Sequence, residues 1–475
     1  MKLPVLAALL CLAAAPALGD DDIAVAAADR MLGHLLAFSG APGLAASVVI
    51  GGEVVWSGGA GWADVAAGAP VAPDTMFRLA SVSKLYTAAI ALRLAERELL
   101  DLDADIRRYA PEWPAYDGPV ITARRLAAHI GGVGHYGPAD AAMRAENRIY
   151  PNARAALDVF SGRELAATPG TEYIYSSYGF TLLSAAMEGA AGKSFDMLFE
   201  RELVRPLGLL ETRVEGAGPA PGLASRLYDL DAGEIERMNQ TYAIGGTGVL
   251  GSARDVARFG RAFISGEVVG GDIVQASLTP ARFSDGSEVA LARFSIGFGW
   301  RVGESWDGRF VAHHAGATPG ARSVLVTYPE DDAAVSFLSN ASWTSRIETV
   351  AELLAAPFLA PPSPAADCPT GSYVSEGIFA EARETGRAEI FVQDALCVGI
   401  YYSDGELAER FNGLGEERRA FPLTHAAIGS GSDVFAIAYP WGLAPLQMTG
   451  SADRASIVLA GDLAGRQLSL QLTDE

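Results

Sequence analysis

Hydrophobic residues near the start of the chain first follow a helical spacing and then the pattern of a hairpin. Residues 23–38 follow a short acidic cluster and have the spacing of an amphipathic helix. Two β-rich runs come next, at residues 44–50 and 53–57. Gly51 and Gly52 between them predict a tight turn. We therefore expect a helix followed by a β-hairpin.

The middle of the chain is mostly helical, and strands resume after it. The predicted helices are residues 82–99, 122–128, 153–160 and 180–191. The clearest later elements are strands at residues 298–302, 322–328 and 334–338 and a helix at residues 344–358. A Pro-Glu-Asp-Asp sequence joins the last two strands and is typical of a turn.

A proline-rich segment separates two regions with different patterns. The sequence Ala-Pro-Pro-Ser-Pro at residues 360–364 cannot continue a helix and suits a semi-rigid linker. The region beyond it contains short β-rich runs at residues 388–392, 397–402, 434–439 and 456–459. We therefore predict a first domain at residues 23–360, a linker at residues 361–367 and a C-terminal all-β domain at residues 368–475. A proline-rich loop inside one domain is the alternative.

The first nineteen residues have the features of a secretory signal peptide. Lys2 precedes an apolar run, and a small-x-small site ends at Gly19, directly before Asp20. A transmembrane anchor needs about 20 apolar residues, and the acidic cluster from Asp20 interrupts the run. Lipidation of Cys11 is disfavoured because two leucines precede it. We expect cleavage near Gly19 and export to the periplasm or the medium.

Composition and charge exclude several classes of protein. The 475 residues include 57 Asp and Glu against 36 Lys and Arg, a formal net charge of −21. Nucleic-acid binding needs clustered basic residues, and the sequence has no such cluster. Half of the residues are hydrophobic, which excludes disorder, and no later run reaches membrane-spanning length. We expect a globular enzyme with neither nucleic-acid partner nor membrane span.

The cysteines and histidines suggest a disulfide and no metal site. Cys11 leaves with the signal peptide, so Cys368 and Cys397 remain as an even pair in an oxidising compartment. A bridge between them would stabilise the fold by roughly 3–4 kcal/mol on a chain-entropy estimate. Two buried free thiols are the alternative. The six histidines form no HExxH pattern, so no metal is expected.

The first chemically distinctive segment is Ser81-Val82-Ser83-Lys84, where an apolar run turns into a predicted helix. Residues three apart share a helical face, so Ser81 and Lys84 can meet. A serine hydroxyl becomes a nucleophile when a neighbour takes its proton. Lys84 can take it if desolvation or nearby cations lower its pKa from roughly 10.4. An ordinary serine N-cap is the alternative.

The second segment contains Tyr175 and Ser177, just before a helix predicted to start at Phe180. In an extended segment residues two apart share a face, so both side chains are expected to point into a cleft. A phenol near a lysine loses its proton more easily and can act as general base or proton relay. Tyr175 could equally be a hairpin or core aromatic residue.

The third segment, His313-His314-Ala315-Gly316-Ala317, lies directly before a strand. Glycine allows a ligand to approach the backbone closely, and a strand edge can donate an N–H to an oxyanion. His314 can bind a substrate carboxylate or support proton transfer. A structural histidine beside a turn is the alternative.

Taken in order, these segments resemble the motifs of a known family. Ser81-Val82-Ser83-Lys84, Tyr175-Ser176-Ser177 and His314-Ala315-Gly316 are similar to the S-x-x-K, Y-x-N and K/H-x-G motifs of serine beta-lactamase and penicillin-binding-protein-like hydrolases, in their class C-related branch. The resemblance spans residues 23–360. It implies a mixed α/β (α+β) fold in which an antiparallel sheet flanked by helices packs against an all-helical region, with the active site between them.

The resemblance also implies a role for each site residue. Ser81 attacks and forms an acyl-enzyme, while Lys84 and Tyr175 move protons. The N–H groups of Ser81 and Ala317, beside Gly316, form the oxyanion hole. Neither a metal nor an organic cofactor is implied.

Two departures from the family motifs bear on the substrate. Ser177 stands where the family has Asn, so the hydrogen bond that the family's Asn makes to Lys84 does not follow for this chain from the resemblance. His314 stands where class C beta-lactamases have Lys. Both favour a peptidase or esterase that opens an amide or ester in a small molecule, a peptide or a cell-wall peptide. A true class C-like beta-lactamase or D,D-carboxypeptidase is the first alternative, and a non-catalytic binding protein is the second.

Overall fold

The structure is a computed structural model. It describes residues 20–216, 222–360, 368–411, 420–428, 433–440, 442–450, 456–463 and 465–474. The predicted signal peptide, residues 1–19, and the predicted linker, residues 361–367, lie outside the described residues.

An eight-stranded antiparallel sheet is the centre of the first domain, with strand order β3-β2-β1-β13-β12-β11-β10-β9. The strands of this domain are β1 (Gly43–Ile50), β2 (Glu53–Asp64), β3 (Ala69–Pro70), β4 (Phe77–Arg78), β5 (Thr212–Val214), β6 (Leu227–Asp229), β7 (Gly233–Ile235), β8 (Val249–Gly251), β9 (Ser295–Ile296), β10 (Arg301–Glu304), β11 (Phe310–Thr318), β12 (Ala321–Tyr328) and β13 (Ala333–Ser339). The predicted hairpin is confirmed, because β1 pairs with β2 around Gly51 and Gly52, both with positive φ.

Helices cover both faces of this sheet. The helices of the first domain are α1 (Asp20–Ser39), α2 (Ser83–Glu96), α3 (Ala123–Ala127), α4 (Ala141–Ala145), α5 (Ala153–Ala156), α6 (Ser177–Ala191), α7 (Phe195–Phe199), α8 (Arg205–Leu207), α9 (Ile244–Thr247), α10 (Ala253–Ile264), α11 (Gly271–Leu278) and α12 (Ile347–Leu359). One core lies between the sheet and α1 and α12, and a larger one holds α2, α6 and α10. The predicted mixed fold, with an antiparallel sheet and a helical region, is confirmed.

Several helix and strand boundaries differ from the predicted ones, and local interactions explain two of the differences. Helix α6 begins at Ser177 rather than Phe180, because the Ser176 hydroxyl caps it by accepting a hydrogen bond from the Gly179 N–H at 2.8 Å. The strand predicted at residues 298–302 begins only at Arg301, because Gly299 adopts a φ of 83° that an extended strand does not allow. The helix predicted over residues 82–99 begins at Ser83 and ends at Glu96.

The C-terminal region forms a closed eight-stranded antiparallel barrel. Its elements are β14 (Gly371–Phe379), β15 (Ala382–Gln393), β16 (Leu396–Ser403), α13 (Glu406–Phe411), β17 (Ala420–Ile428), β18 (Asp433–Tyr439), β19 (Gly442–Gly450), β20 (Ser456–Leu463) and β21 (Arg466–Asp474). The predicted C-terminal β module is confirmed, and it also contains one short helix, α13, which follows β16. This helix is fixed by the buried Glu384 carboxylate, which accepts a hydrogen bond from the Leu407 N–H at 2.8 Å.

The barrel has its own core and also packs against the first domain. Cys368 and Cys397 form a disulfide, which ties the chain just before β14 to β16. Barrel residues such as Leu443 share a hydrophobic core with α1 and α12. No helix among the described residues is both long and apolar enough to cross a bilayer.

Candidate active site

Ser81 lies in a tight turn that leads into α2. The turn covers residues 80–82, and Ala80 just before Ser81 has a φ of 46°. A left-handed backbone at a non-glycine residue costs roughly 1–2 kcal/mol and is found at functional sites. Gly316 of β11 packs directly against this turn, because a Cβ atom there would overlap the Leu79 carbonyl oxygen. The sheet and the turn are thereby held together around Ser81.

Lys84 lies one helical turn after Ser81 and is fully buried. Its Nζ donates hydrogen bonds to Ser177 Oγ at 2.9 Å and to the Gly246 carbonyl oxygen at 3.0 Å, and it lies within hydrogen-bond distance, 3.2 Å, of Ser81 Oγ. No carboxylate of the described part of the chain forms an ion pair with it. Burial, assisted by the positive charge of Arg301, holds the Lys84 pKa well below its usual value. A neutral amine able to accept a proton follows from this environment.

The Tyr175 hydroxyl lies on the other side of the serine and donates a hydrogen bond to Ser81 Oγ at 2.8 Å. Lys84 Nζ stands 4.7 Å from the centre of the tyrosine ring. The expectation that Tyr175 loses its proton easily was wrong, because burial raises its pKa despite the hydrogen bond to Ser81 and the charge of Arg301. Tyr175 is therefore protonated at rest, and Lys84 is the stronger candidate for the base.

Ser177 is the first residue of α6 and is completely buried. The structure thus corrects the expectation that it lies in an extended segment and points into a cleft beside Tyr175. Its hydroxyl accepts a hydrogen bond from Lys84, so a serine at this position makes the contact that the family's asparagine makes. A Cβ atom at Gly246 would stand 2.8 Å from Ser177 Cβ, so glycine is needed there.

His314 lies inside the protein rather than in the cleft. Its side chain is 1% exposed, and Nδ1 donates a hydrogen bond to the Ala315 carbonyl oxygen at 2.7 Å. Burial, together with the charge of Arg301, lowers its pKa well below the usual value. The ring is therefore neutral, and its burial argues against direct binding of a substrate carboxylate.

The edge of β11 next to Ser81 has a strand on one side only. Strand β10 pairs with β11 no further than His313, whereas β12 continues to pair through Thr318. Among the described strands, residues 314–318 therefore have no partner on the second side. Gly316 and Ala317 lie in this stretch and border the cleft, as predicted for residues that approach the reacting carbonyl.

A cleft of about 460 Å³ opens above the serine. It is lined by Ser81, Tyr175 and His135, by residues 315–317 and by residues 342–348. Burial lowers the pKa of His135 to about 4, and its Nδ1 accepts a hydrogen bond from the Ser177 N–H at 3.1 Å. A larger groove of about 1520 Å³ lies elsewhere and contains none of the three reactive side chains. The chemistry therefore points to the smaller cleft.

Sequence reasoning missed Arg301, which lines the cleft at the start of β10. Its guanidinium stacks 4.7 Å from the Phe294 ring centre and lies 4.0 Å from the Glu348 carboxylate. The positive charge helps to lower the pKa of Lys84 and of His314, and it opposes the rise that burial causes in the pKa of Tyr175. The sequence feature that could have identified it is the position of an arginine directly after the apolar run Phe298-Gly299-Trp300.

Replacing Arg301 tests its electrostatic effect on Lys84. Activity requires neutral Lys84, so it is present above the Lys84 pKa and is lost as the pH falls through it. Arg301→Gln removes a nearby cation and raises that pKa, so we expect the acid limb of the kcat/KM profile to move to higher pH. Arg322→Gln, another cleft arginine, should leave the limb in place. An unchanged limb, or one at lower pH, in Arg301→Gln would contradict this role.

Comparisons with known proteins agree with this geometry. The family model described as Beta-lactamase matches residues 28–356. The D-alanyl-D-alanine-carboxypeptidase/endopeptidase AmpH of Escherichia coli strain K12 is 30% identical over 266 residues, covering 55% of this chain and 67% of that protein. The human mitochondrial serine beta-lactamase-like protein LACTB is 25% identical over 382 residues, covering 62% of this chain and 70% of that protein.

A solved structure extends the likeness to the barrel. The octameric penicillin-binding protein homologue from Pyrococcus abyssi superposes with a TM-score of 0.60 at 17% identity, covering 94% of this chain and all of that one. At this identity the likeness concerns the fold alone. It confirms the predicted beta-lactamase-like fold.

Proposed function

The chain belongs to the beta-lactamase family and is a serine hydrolase, and from this premise we propose that it is an exported peptidase or esterase that acts through an acyl-enzyme on Ser81. The observation that carries the proposal is the contact of Ser81 Oγ with both a buried Lys84 amine and the Tyr175 hydroxyl. The first is suited to accept a proton and the second to donate one.

Acylation begins when Ser81 Oγ attacks the substrate carbonyl carbon and its proton passes to the neutral Lys84 amine. The new charge develops on the carbonyl oxygen, where the N–H groups of Ser81 and Ala317 would stabilise it. The bond from the carbonyl carbon to the leaving nitrogen or oxygen then breaks. Tyr175 gives its proton to the leaving atom and regains one from Lys84, so the charges of the site return to their resting values.

Deacylation reverses these roles around a water molecule. Water attacks the ester carbon of the acyl-enzyme and loses a proton through Tyr175 to Lys84. The ester bond breaks, and the proton returns to Ser81 Oγ. The free acid leaves, and Ser81 is restored.

Tyr175→Phe tests the proton relay. We expect kcat to fall by about 10²–10⁴-fold, because the phenol would no longer carry a proton between Lys84 and the leaving atom. Tyr173→Phe removes a hydroxyl two residues away that does not contact Ser81 and should retain nearly full activity. Steady-state kinetics on one ester measure both variants. A Tyr175→Phe enzyme as fast as the unaltered protein would assign proton transfer to Lys84 alone.

A substrate with an amide or ester and a nearby carboxylate fits the cleft best. Arg301 is a cation at the cleft surface whose nearest described carboxylate is 4.0 Å away, so it can bind an anionic group of a peptide. AmpH, a relative of this chain, is by name a D-alanyl-D-alanine carboxypeptidase and endopeptidase. A D,D-peptidase is therefore the leading peptidase candidate.

Export is supported by two independent features. The signal-peptide pattern of residues 1–19 addresses the chain to the secretory route. The Cys368–Cys397 disulfide suits an oxidising compartment such as the periplasm. Fractionation of cells that express the full chain, followed by N-terminal sequencing, tests the proposal. An uncleaved chain in the cytosol would contradict it.

A substrate panel tests the activity. The unaltered protein and Ser81→Ala are incubated with short peptides that end in D-Ala-D-Ala, with acyl esters and with benzylpenicillin, and products are followed by mass spectrometry. We expect Ser81-dependent cleavage of a peptide or an ester. Rapid Ser81-dependent loss of benzylpenicillin would instead indicate a beta-lactamase. Turnover that survives in Ser81→Ala would contradict the acyl-enzyme mechanism.

A further inference from the structure

The cleft is positively charged although the chain as a whole is strongly acidic. Three arginines border it, Arg301, Arg322 and Arg346, against the single carboxylate of Glu348. The Arg322 guanidinium donates hydrogen bonds to the backbone oxygens of Thr318 and Ala321, at 3.1 and 2.9 Å. The net charge of −21 thus contrasts with a cationic surface next to Ser81. This local charge favours substrates with an anionic group.

Residues 342–348 form one wall of this cleft, and the C-terminal barrel supports it. Arg346 Nη2 lies 3.0 Å from Asp462 Oδ1 at the end of β20. The Asp462 carboxylate is itself fixed, because Oδ1 also accepts a hydrogen bond from the Gly465 N–H at 2.7 Å. A Cβ atom at Gly442 would come within 3.1 Å of the Ser345 carbonyl oxygen, so the barrel backbone also approaches the wall closely.

The backbone of Arg346 is held in a conformation that arginine seldom adopts. Its φ is 46° and its ψ is 38°, in the left-handed region, directly before α12 begins at Ile347. Such a conformation persists only where the surroundings impose it. Here Ile347 and Val350 of α12 pack in the same core as Leu443 of β19. The barrel therefore helps to fix both the backbone and the side chain of Arg346.

We propose that Asp462 of the barrel is a positioning residue for the active-site cleft. It holds the guanidinium of Arg346 at the cleft rim, where Arg346 binds an anionic group of the substrate and makes the enzyme select acidic substrates. The inference rests on the proposed serine hydrolase function. It gives the barrel a part in substrate selection besides its packing against α1 and α12.

Matched pairs of esters test this selection. The first pair, 4-nitrophenyl pentanoate and mono-4-nitrophenyl glutarate, places a carboxylate on the acyl side. The second pair, phenyl acetate and 3-acetoxybenzoate, places it on the leaving side. For each pair the ratio of kcat/KM for the anionic ester to kcat/KM for the neutral ester measures the preference for an acidic group. We expect the unaltered enzyme to prefer the anionic member of at least one pair.

Four variants distinguish a role of Asp462 in positioning Arg346 from an effect of its charge alone. Arg346→Gln should lower the preferred ratio by about 10-fold, through KM rather than kcat, because a charged hydrogen bond to the substrate is lost. Asp462→Ala should lower it several-fold, whereas Asp462→Asn should keep it, because the amide oxygen still accepts the hydrogen bond from Arg346. Glu376→Gln breaks the exposed pair with Arg383 on the barrel, far along the chain from Asp462, and should change nothing.

Several outcomes would overturn the proposal. An unchanged ratio in Arg346→Gln would overturn it, and so would an unchanged ratio in Asp462→Ala. A higher ratio in Asp462→Ala would also overturn it, because Asp462 would then only compete with the substrate for Arg346. Thermal melting of each variant identifies any that fails to fold, and Asp462→Asn and Arg346→Gln then decide independently. Ester hydrolysis that persists in Ser81→Ala would instead contradict the proposed function itself.

Discussion

Ser81→Ala should lower kcat/KM by on the order of 10⁶-fold while the protein stays folded. The loss is large because the hydroxyl oxygen is the atom that would bond to the substrate carbon. The fold should survive because Ser81 Oγ has its hydrogen bonds with Lys84 and Tyr175, two groups of the site itself. Steady-state kinetics and a thermal melt on the same preparation measure both effects.

Ser83→Ala is the matched control for Ser81→Ala. Ser83 lies two residues further along and is also buried, but its hydroxyl accepts a hydrogen bond from the Val249 N–H at 3.0 Å instead of facing the reactive groups. We expect this variant to lose about 1 kcal/mol of stability and to keep most of its activity. If Ser81→Ala were no less active than Ser83→Ala, Ser81 would not be the nucleophile.

Lys84→Met should lower kcat by about 10²–10⁴-fold, because no other buried amine can take the proton of Ser81. The proposed mechanism also requires the Lys84 amine to be neutral in the pH range where the enzyme is active. This state can be observed directly, because Lys2, Lys84 and Lys193 are the only lysines of the chain. Labelling lysine Cε with ¹³C gives few signals, and the chemical shift of each reports the charge of its amine.

Lys193→Met assigns the signals and serves as the activity control, since Lys193 lies outside the cleft. We expect Lys84 to have the chemical shift of a neutral amine in the unaltered protein. A shift that shows a charged Lys84 throughout the active pH range would contradict its role as base. Full activity in Lys84→Met would contradict it as well.

The sequence was a good guide where the determinants are local. Ser81 and Lys84 are one helical turn apart, so their contact follows from spacing alone. The turn at Gly51 and Gly52 requires positive φ, which only glycine adopts freely, and this made the first hairpin predictable. Resemblance to a family then supplied Tyr175, which is 94 positions from Ser81 and could not be joined to it by local rules.

The sequence failed where burial or distant partners decide. His314 looked available to a substrate, but its ring is buried. The pKa of Tyr175 was expected to fall because of the nearby lysine, whereas the cost of burying the phenolate raises it and outweighs the hydrogen bond with Ser81 and the charge of Arg301. Arg346 and Asp462 are brought together only by the docking of the barrel on α12, which no local pattern reveals.

The measurement that tests the central claim most directly is the mass of the protein during turnover. The mature chain is mixed with an excess of 4-nitrophenyl ester, quenched in acid over a series of times, and analysed intact and after proteolysis. We expect one acyl group per chain, attached to the peptide that contains Ser81 and absent from Ser81→Ala. An acyl group on another residue, or a chain that stays unmodified at every quench time while the ester is consumed, would contradict the account.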